Sequence, residues 1–329
     1  ELTRPVRLDW NDDGSFRATS HTSDESCKIR AELLVPSNLV VPIIFLPGIM
    51  GTRLRVKGRE SKSAWFPPEG TWEGIKLLLT NLRRSAADRQ RLLNPDTTEI
   101  DDNGPAHSDP ETAHLLGDAK GELDVERAKW RGWGQIHADS YGKILALLER
   151  RLAYMLSNGK NEQPEWLDAV MKWQDQSKLG AQKPFKALDE AALKRAASVF
   201  FPVHAVGYNW LQSNKQSGEH LASQIQHILD AYTCRGKIAE KVILVTHSMG
   251  GLVARACFQL PGMQDKIMGV FHGVMPSDGA PASYKRFKAG FEGIASVILG
   301  RDAADATAVM SHSPGACELL PNRKYRAKT

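Results

Sequence analysis

Val242-Ile243-Leu244-Val245-Thr246-His247-Ser248-Met249-Gly250-Gly251-Leu252-Val253 is the stretch on which the reading of this chain turns. Four apolar residues run into a short polar turn, and an amphipathic segment leaves it through two glycines. An apolar run of that length suits a strand buried on both faces, and the periodicity after Gly251 suits a helix. A strand, a sharp turn and a helix together raise a serine hydroxyl as a nucleophile at the carboxyl end of a sheet. The positions two before and two after the serine must be small. Gly250 meets that demand, and Thr246 stands where glycine is usual. The start of the helix aims backbone N–H groups at the same point, where they favour developing negative charge. The Met249 amide is therefore a candidate donor to a tetrahedral oxyanion. A tight turn without chemistry is the competing account. His247 is not read as the base for Ser248, because neighbours at such a turn point apart and a base must reach the hydroxyl. It is read as a packed or site-flanking residue.

Upstream, Val40-Val41-Pro42-Ile43-Ile44-Phe45-Leu46 is a second apolar run, ended by Pro47-Gly48. An acyl-transfer site needs a further N–H from a loop after an earlier strand. Leu46-Pro47-Gly48-Ile49-Met50-Gly51 is placed for it, with glycines that let the backbone approach closely. The Ile49 amide is the expected donor, with Met50 as the neighbouring alternative; a simple strand-ending turn is the plainer reading. Further strands are expected at Val199-Phe200-Phe201 with Val203 to Val206, and at Ile267 to Val274. Helices are expected over about 138–156, where Tyr141, Ile144, Leu145, Leu148, Leu152 and Met155 share one face, near 165–174 and 185–197, and through Leu221, Ile225, Ile228, Leu229 and Tyr232. Leu252 to Phe258 should form another. Strands alternating with helices predict an α/β fold with a mostly parallel sheet covered on both sides. Residues 51–134 are polar and rich in Asp, Gly and Pro, with a short helical piece over 72–82. The expected organisation is a core of residues 1–50 and 199–329, with 51–198 as a cap or insertion.

The 329 residues can bury a sizeable core. A hydrophobic share of 42% and a charged share of 25% exclude a mostly disordered or collagen-like chain. No apolar run approaches the roughly 18 residues that span a bilayer. The net charge of +5, from 43 basic and 38 acidic residues, is spread along the chain. It is not read as nucleic-acid binding, whereas mild attraction to anionic membranes fits. Cys27, Cys234, Cys257 and Cys317 lie far apart, which argues against a zinc cluster or disulfide framework. The chain starts at Glu1 without a methionine, so a removed N-terminus is expected and a missing signal peptide says little about export.

Pro42-Ile43-Ile44-Phe45-Leu46-Pro47-Gly48, Tyr208-Asn209-Trp210 and His247-Ser248-Met249-Gly250-Gly251 resemble the lecithin:cholesterol acyltransferase and PGAP1-like lipases. Pro276-Ser277-Asp278-Gly279-Ala280 and the segment from Ser313 to Pro321 are similar to further islands of that family. The combination also looks like the bacterial type VI secretion lipase effectors that carry a PGAP1-like domain. The resemblance implies an α/β-hydrolase fold, a serine nucleophile and an ester of a lipid or phospholipid as substrate. It also implies oxyanion amides at Ile49 and Met249. An effector of that kind is a secreted antibacterial toxin that meets a membrane surface and is held by an immunity protein in its producer.

In this fold the acid and the histidine follow the nucleophile in the chain. Residues 249–329 hold His272 and His312, and Asp265, Asp278, Asp302 and Asp305. His272 sits within a strand and reads as packed. Asp278 is an in-chain alternative for the acid, although its Pro-x-x-Gly turn has a structural use. The acid and histidine are expected beyond Thr329, in a C-terminal remainder of the same protein, which leaves the fold incomplete here. Asp96, Glu99, Asp101, Asp102, His107, Asp109, Glu111 and His114 form an acidic tract that calcium would accept, but without an EF-hand pattern. It is read as a solvated loop, and no cofactor or metal is expected. Trp65, Phe66 and Trp72 with Leu77, Leu78 and Leu79 read either as an apolar lid for a lipid surface or as packing of the cap, and Phe291, Ile294, Val297 and Ile298 share that ambiguity. The expected activity is that of a serine lipase or phospholipase working through an acyl-enzyme. A lipid acyltransferase and an inactive hydrolase-fold binding module are the alternatives.

Overall fold

A computed structural model describes residues 3–10, 16–18, 30–34, 38–59, 62–65, 84–105, 125–153, 156–157, 160–161, 189–293 and 295–325. Its principal sheet has four strands, β1 (Ile43–Leu46), β2 (Val203–Ala205), β3 (Val242–His247) and β4 (Ile267–Gly273), in the order β2-β1-β3-β4. Every pairing is parallel, with Ile43 to Phe45 of β1 opposite Val203 to Ala205 on one side and Ile243 to Val245 on the other. Parallel neighbours need long crossovers, and helices provide them. They include α1 (Ala138–Ala153) before β2, α2 (Asn214–Thr233) after it, and α3 (Gly250–Phe258) after β3.

The strand period of two sorts β1 between two cores. Ile44 and Leu46 join Val242 and Leu244 in a larger core, where α2 contributes Leu221 and Ile225 and α3 contributes Val253. Ile43 and Phe45 face the other side, against Trp133, Ile136 and Leu145. All five apolar positions read as the face of α2 are buried, and Ser213 closes its start with a capping box to Gln216. α1 lies inside the span expected to be a cap, yet Leu145 and Ala146 are buried against the sheet. The body of the fold thus includes this helix, because its apolar stripe has the sheet as its partner. α3 begins two residues earlier than expected, at Gly250.

The cover thins at β4. On this strand and just after it, Met268, Phe271 and Val274 are 56%, 67% and 78% exposed. Leu54–Val56 pairs with Ser63–Trp65 and Thr98–Ile100 in a small antiparallel sheet. Thr3–Trp10 pairs with Arg30–Leu34 and Phe16–Ala18 in another. Of the helix expected over 185–197, Glu190–Ala197 is helical. The helices expected over 72–82 and 165–174 lie outside the described residues, as do Cys27 and Ile294. Among the described residues Cys234, Cys257 and Cys317 are free thiols, and no helix is long and apolar enough to cross a membrane.

Candidate active site

The turn after β3 has the expected strained form. Ser248 has φ of +51°, a conformation that costs a non-glycine residue about 1–3 kcal/mol and persists only where the surroundings impose it. Here the imposing contacts are the Ser248 N–H donating to Gly273 O at 2.8 Å and the Gly251 N–H donating to Ser248 O at 3.0 Å. Gly250 lies against the end of β1: a Cβ on it would sit 2.6 Å from Pro47 O and 2.7 Å from Leu46 O. Thr246, where glycine is usual, is accommodated because its hydroxyl meets His272 Nδ1 on β4 at 2.9 Å. Partial burial, then the Arg255 charge, pulls His272 below the ordinary imidazole range. His272 is itself exposed, which corrects the expectation of a packed histidine; its contact with Thr246 lies on an otherwise open strand.

Leu46 of β1 is in register with Thr246 of β3, so the two turns leave the sheet side by side. A Cβ on Gly48 would lie 3.2 Å from Ser248 Cβ, which places the Pro47-Gly48 turn directly against the serine. Met50 has φ of +63°, and the Gly51 N–H closes the turn on Gly48 O at 3.0 Å. Three side chains grip it. The Tyr208 hydroxyl donates to Pro47 O at 2.8 Å, Trp65 Nε1 donates to Met50 O at 2.8 Å, and the Gly48 N–H donates to the Tyr141 hydroxyl at 3.1 Å. Among the described residues the main-chain N–H groups of Ile49, Met50 and Met249 have no hydrogen-bond partner. Two turns with free amides thus flank one serine hydroxyl, an arrangement chemically suited to an oxyanion.

The sequence readings of the neighbours separate here. His247 is exposed and flanks the site, with Nδ1 3.0 Å from the Tyr141 hydroxyl. Among the described residues no histidine or carboxylate hydrogen-bonds the Ser248 hydroxyl. Asp278 is exposed and accepts from Asn322 Nδ2 at 3.1 Å, while its turn docks the segment after Cys317 through Ala280 N–H to Leu319 O at 2.8 Å. The turn residue is engaged in holding that segment, and no histidine contacts it among the described residues. His312 lies beside Gln90, 2.6 Å from its amide nitrogen.

Trp65 is 4% exposed and edge-on to buried Trp210, so it packs and does not form a lid. Phe291 and Ile298 are likewise buried in the larger core, and Val297 is buried beside them in sequence; Phe66, Trp72 and Leu77 to Leu79 lie outside the described residues. In the acidic tract, Arg55 pairs with Glu99 at 2.9 Å and Asp102 at 3.0 Å, and Arg53 with Asp101 at 3.6 Å. The tract is thus bound by arginine on the described side, whereas His107, Asp109, Glu111 and His114 fall outside it. Among the described residues no three His, Cys, Asp or Glu side chains are grouped to hold a metal. Tyr141 and its contacts were not foreseen. The available signal was a hydroxyl on the apolar face of α1.

Comparison with known proteins supports the α/β-hydrolase fold. Residues 209–295, which include the Ser248 turn, match the PGAP1-like alpha/beta domain. A chain in the crystal structure of the Tle4-Tli4 complex is similar over 87% of this chain, with 38% identity and a TM-score of 0.75. The present chain spans 55% of the length of that one. No curated protein matches.

Proposed function

We propose, from the premise that this chain has an α/β-hydrolase fold with a PGAP1-like domain, that it is a serine lipase or phospholipase acting on an ester of a membrane lipid. The observation that carries the reading is the strained Ser248 set between the Pro47-Gly48 turn and the start of α3, with unpartnered amides on both. Ser248 Oγ attacks the ester carbonyl and forms a tetrahedral oxyanion held by the Ile49 and Met249 N–H groups. Collapse releases the alcohol and leaves an acyl-serine, which water then hydrolyses to the fatty acid. A histidine takes the hydroxyl proton and returns it to the leaving alcohol, oriented by an acid. We place both after Thr329. The support is that no described histidine or carboxylate contacts Ser248, and that the similar solved chain is longer. No metal or cofactor enters this scheme.

The role as a secreted antibacterial effector, acting at a target membrane or periplasm and restrained by an immunity protein, draws on the motif resemblance. It also draws on the likeness to a chain found in the Tle4-Tli4 complex. The test is incubation of the full-length protein with phosphatidylethanolamine–phosphatidylglycerol vesicles, with products resolved by mass spectrometry. Free fatty acid and lysolipid, absent with Ser248→Ala, are expected. Acyl transfer to an added alcohol in place of water would move the assignment to an acyltransferase, and intact lipid with a folded protein would move it to a binding module.

A further inference from the structure

Among the described residues the Tyr141 hydroxyl is the one side-chain group that hydrogen-bonds both turns of the site. It comes from the first part of α1, which is fixed to the sheet by Leu145 and Ala146. Its ring packs on Phe45 of β1 at 5.2 Å between centroids and edge-on to His247 at 5.7 Å. Its oxygen accepts the Gly48 N–H at 3.1 Å and lies 3.0 Å from His247 Nδ1. Having accepted from Gly48, the hydroxyl has its own proton to give, and it donates to His247 Nδ1 in the tautomer that leaves that nitrogen free. The imidazole proton is then on Nε2. On the Gly48 side, the bond is made one residue before the Ile49 amide. On the His247 side, it is made one residue before Ser248.

Resting on the acyl-transfer reading above, we propose that Tyr141 is a positioning residue. Its hydroxyl, bridging the Gly48 N–H and His247 Nδ1, sets the spacing between the Ile49 amide and Ser248. Among the described residues its hydrogen bonds go to Gly48 and His247 and not to the Ser248 hydroxyl. Its contribution therefore belongs to the transition state, where oxyanion geometry counts, and not to ground-state binding of the ester. Burial raises the Tyr141 hydroxyl above the ordinary phenol range, and the Gly48 N–H opposes that only in part, so the group keeps its proton at neutral pH.

The experiment compares Tyr141→Phe, which keeps the ring and deletes the hydroxyl, with His247→Phe and with the double variant in the full-length protein. Hydrolysis of a p-nitrophenyl ester gives kcat and KM, and a fluorophosphonate gives the rate of Ser248 modification. For Tyr141→Phe we expect kcat and the labelling rate to fall together by about tenfold to a hundredfold, as loss of alignment does, with KM within about threefold. The double variant should be no worse than Tyr141→Phe, since both single changes break one bridge. A Tyr141→Phe enzyme within twofold of wild type in kcat overturns the proposal and leaves the serine reading standing, as do multiplying losses in the double variant. Should Tyr141→Phe not fold, His247→Phe decides alone, and unchanged kcat in that variant overturns the bridge. A wild-type protein that neither labels nor hydrolyses removes the acyl-transfer reading, and the positioning role with it.

Discussion

Ser248 shows what one residue gives up for a reactive position. Its φ of +51° is a conformation glycine adopts freely and alanine does not. Ser248→Gly is therefore expected to be more stable than Ser248→Ala by about 1 kcal/mol, with both variants inactive. Parallel denaturant titrations and ester hydrolysis measure the two halves of that statement; equal stability would mean that the strain is relaxed elsewhere. This position was legible in the sequence because its signals are local: an apolar run, a small residue at Gly250 and a helix start. Tyr141 was not, since the Gly48 contact spans 93 positions of sequence and its residue type fits an ordinary apolar helix face. The Thr246–His272 contact, 26 positions apart and between neighbouring strands, was likewise hidden from any local pattern.

At the scale of elements, α1 and α2 carry different loads. α1 holds Tyr141 in place through Leu145, which is 1% exposed between the helix and β1. Leu145→Ala should cost about 2–5 kcal/mol, since it leaves a cavity in the smaller core. It should also lower kcat at temperatures where the protein is still folded, because the helix that carries the bridge loosens. Among the described residues the Ser213 side chain makes no hydrogen bond to either turn. Ser213→Ala should cost about 1 kcal/mol and leave kcat unchanged. Thermal unfolding with kinetics at 25 °C separates these outcomes, and a kcat loss in the cap variant would show that general stability governs the rate. The sequence periodicity placed both helices within a few residues. It did not show that α1 belongs to the body of the fold, because an amphipathic stripe states that a partner exists and not which surface it is.

For the molecule as a whole, a buried neutral histidine sets a pH response. His204 on β2 is 2% exposed and meets the Tyr232 hydroxyl through Nε2 at 2.9 Å. Burial, then the Arg131 charge, holds it well below the ordinary imidazole range. Because the folded value is depressed, the unfolded chain takes up the proton first as pH falls. The stability gained from a neutral His204 is therefore complete above about pH 6.5 and is lost progressively below it. His137 and His220, lowered first by burial, act in the same direction. Denaturant midpoints at pH 7.5 and 5.5 should show this fall, and His204→Gln should reduce its slope. An unchanged slope would place the titrating group elsewhere.

The parallel order of the sheet and the strand, sharp turn and helix around Ser248 followed from the chain's own periodicities and turn residues. A base and acid for the proposed nucleophile did not, since such partners come from contacts that no local pattern encodes. The central claim is that Ser248 is an activated nucleophile. Its most direct test is covalent labelling of the full-length protein by a fluorophosphonate, with Ser248→Ala as control and the modified peptide identified by mass spectrometry. The account predicts stoichiometric labelling at Ser248 that the variant abolishes. A folded full-length protein that takes no label, or takes it equally in Ser248→Ala, would contradict it.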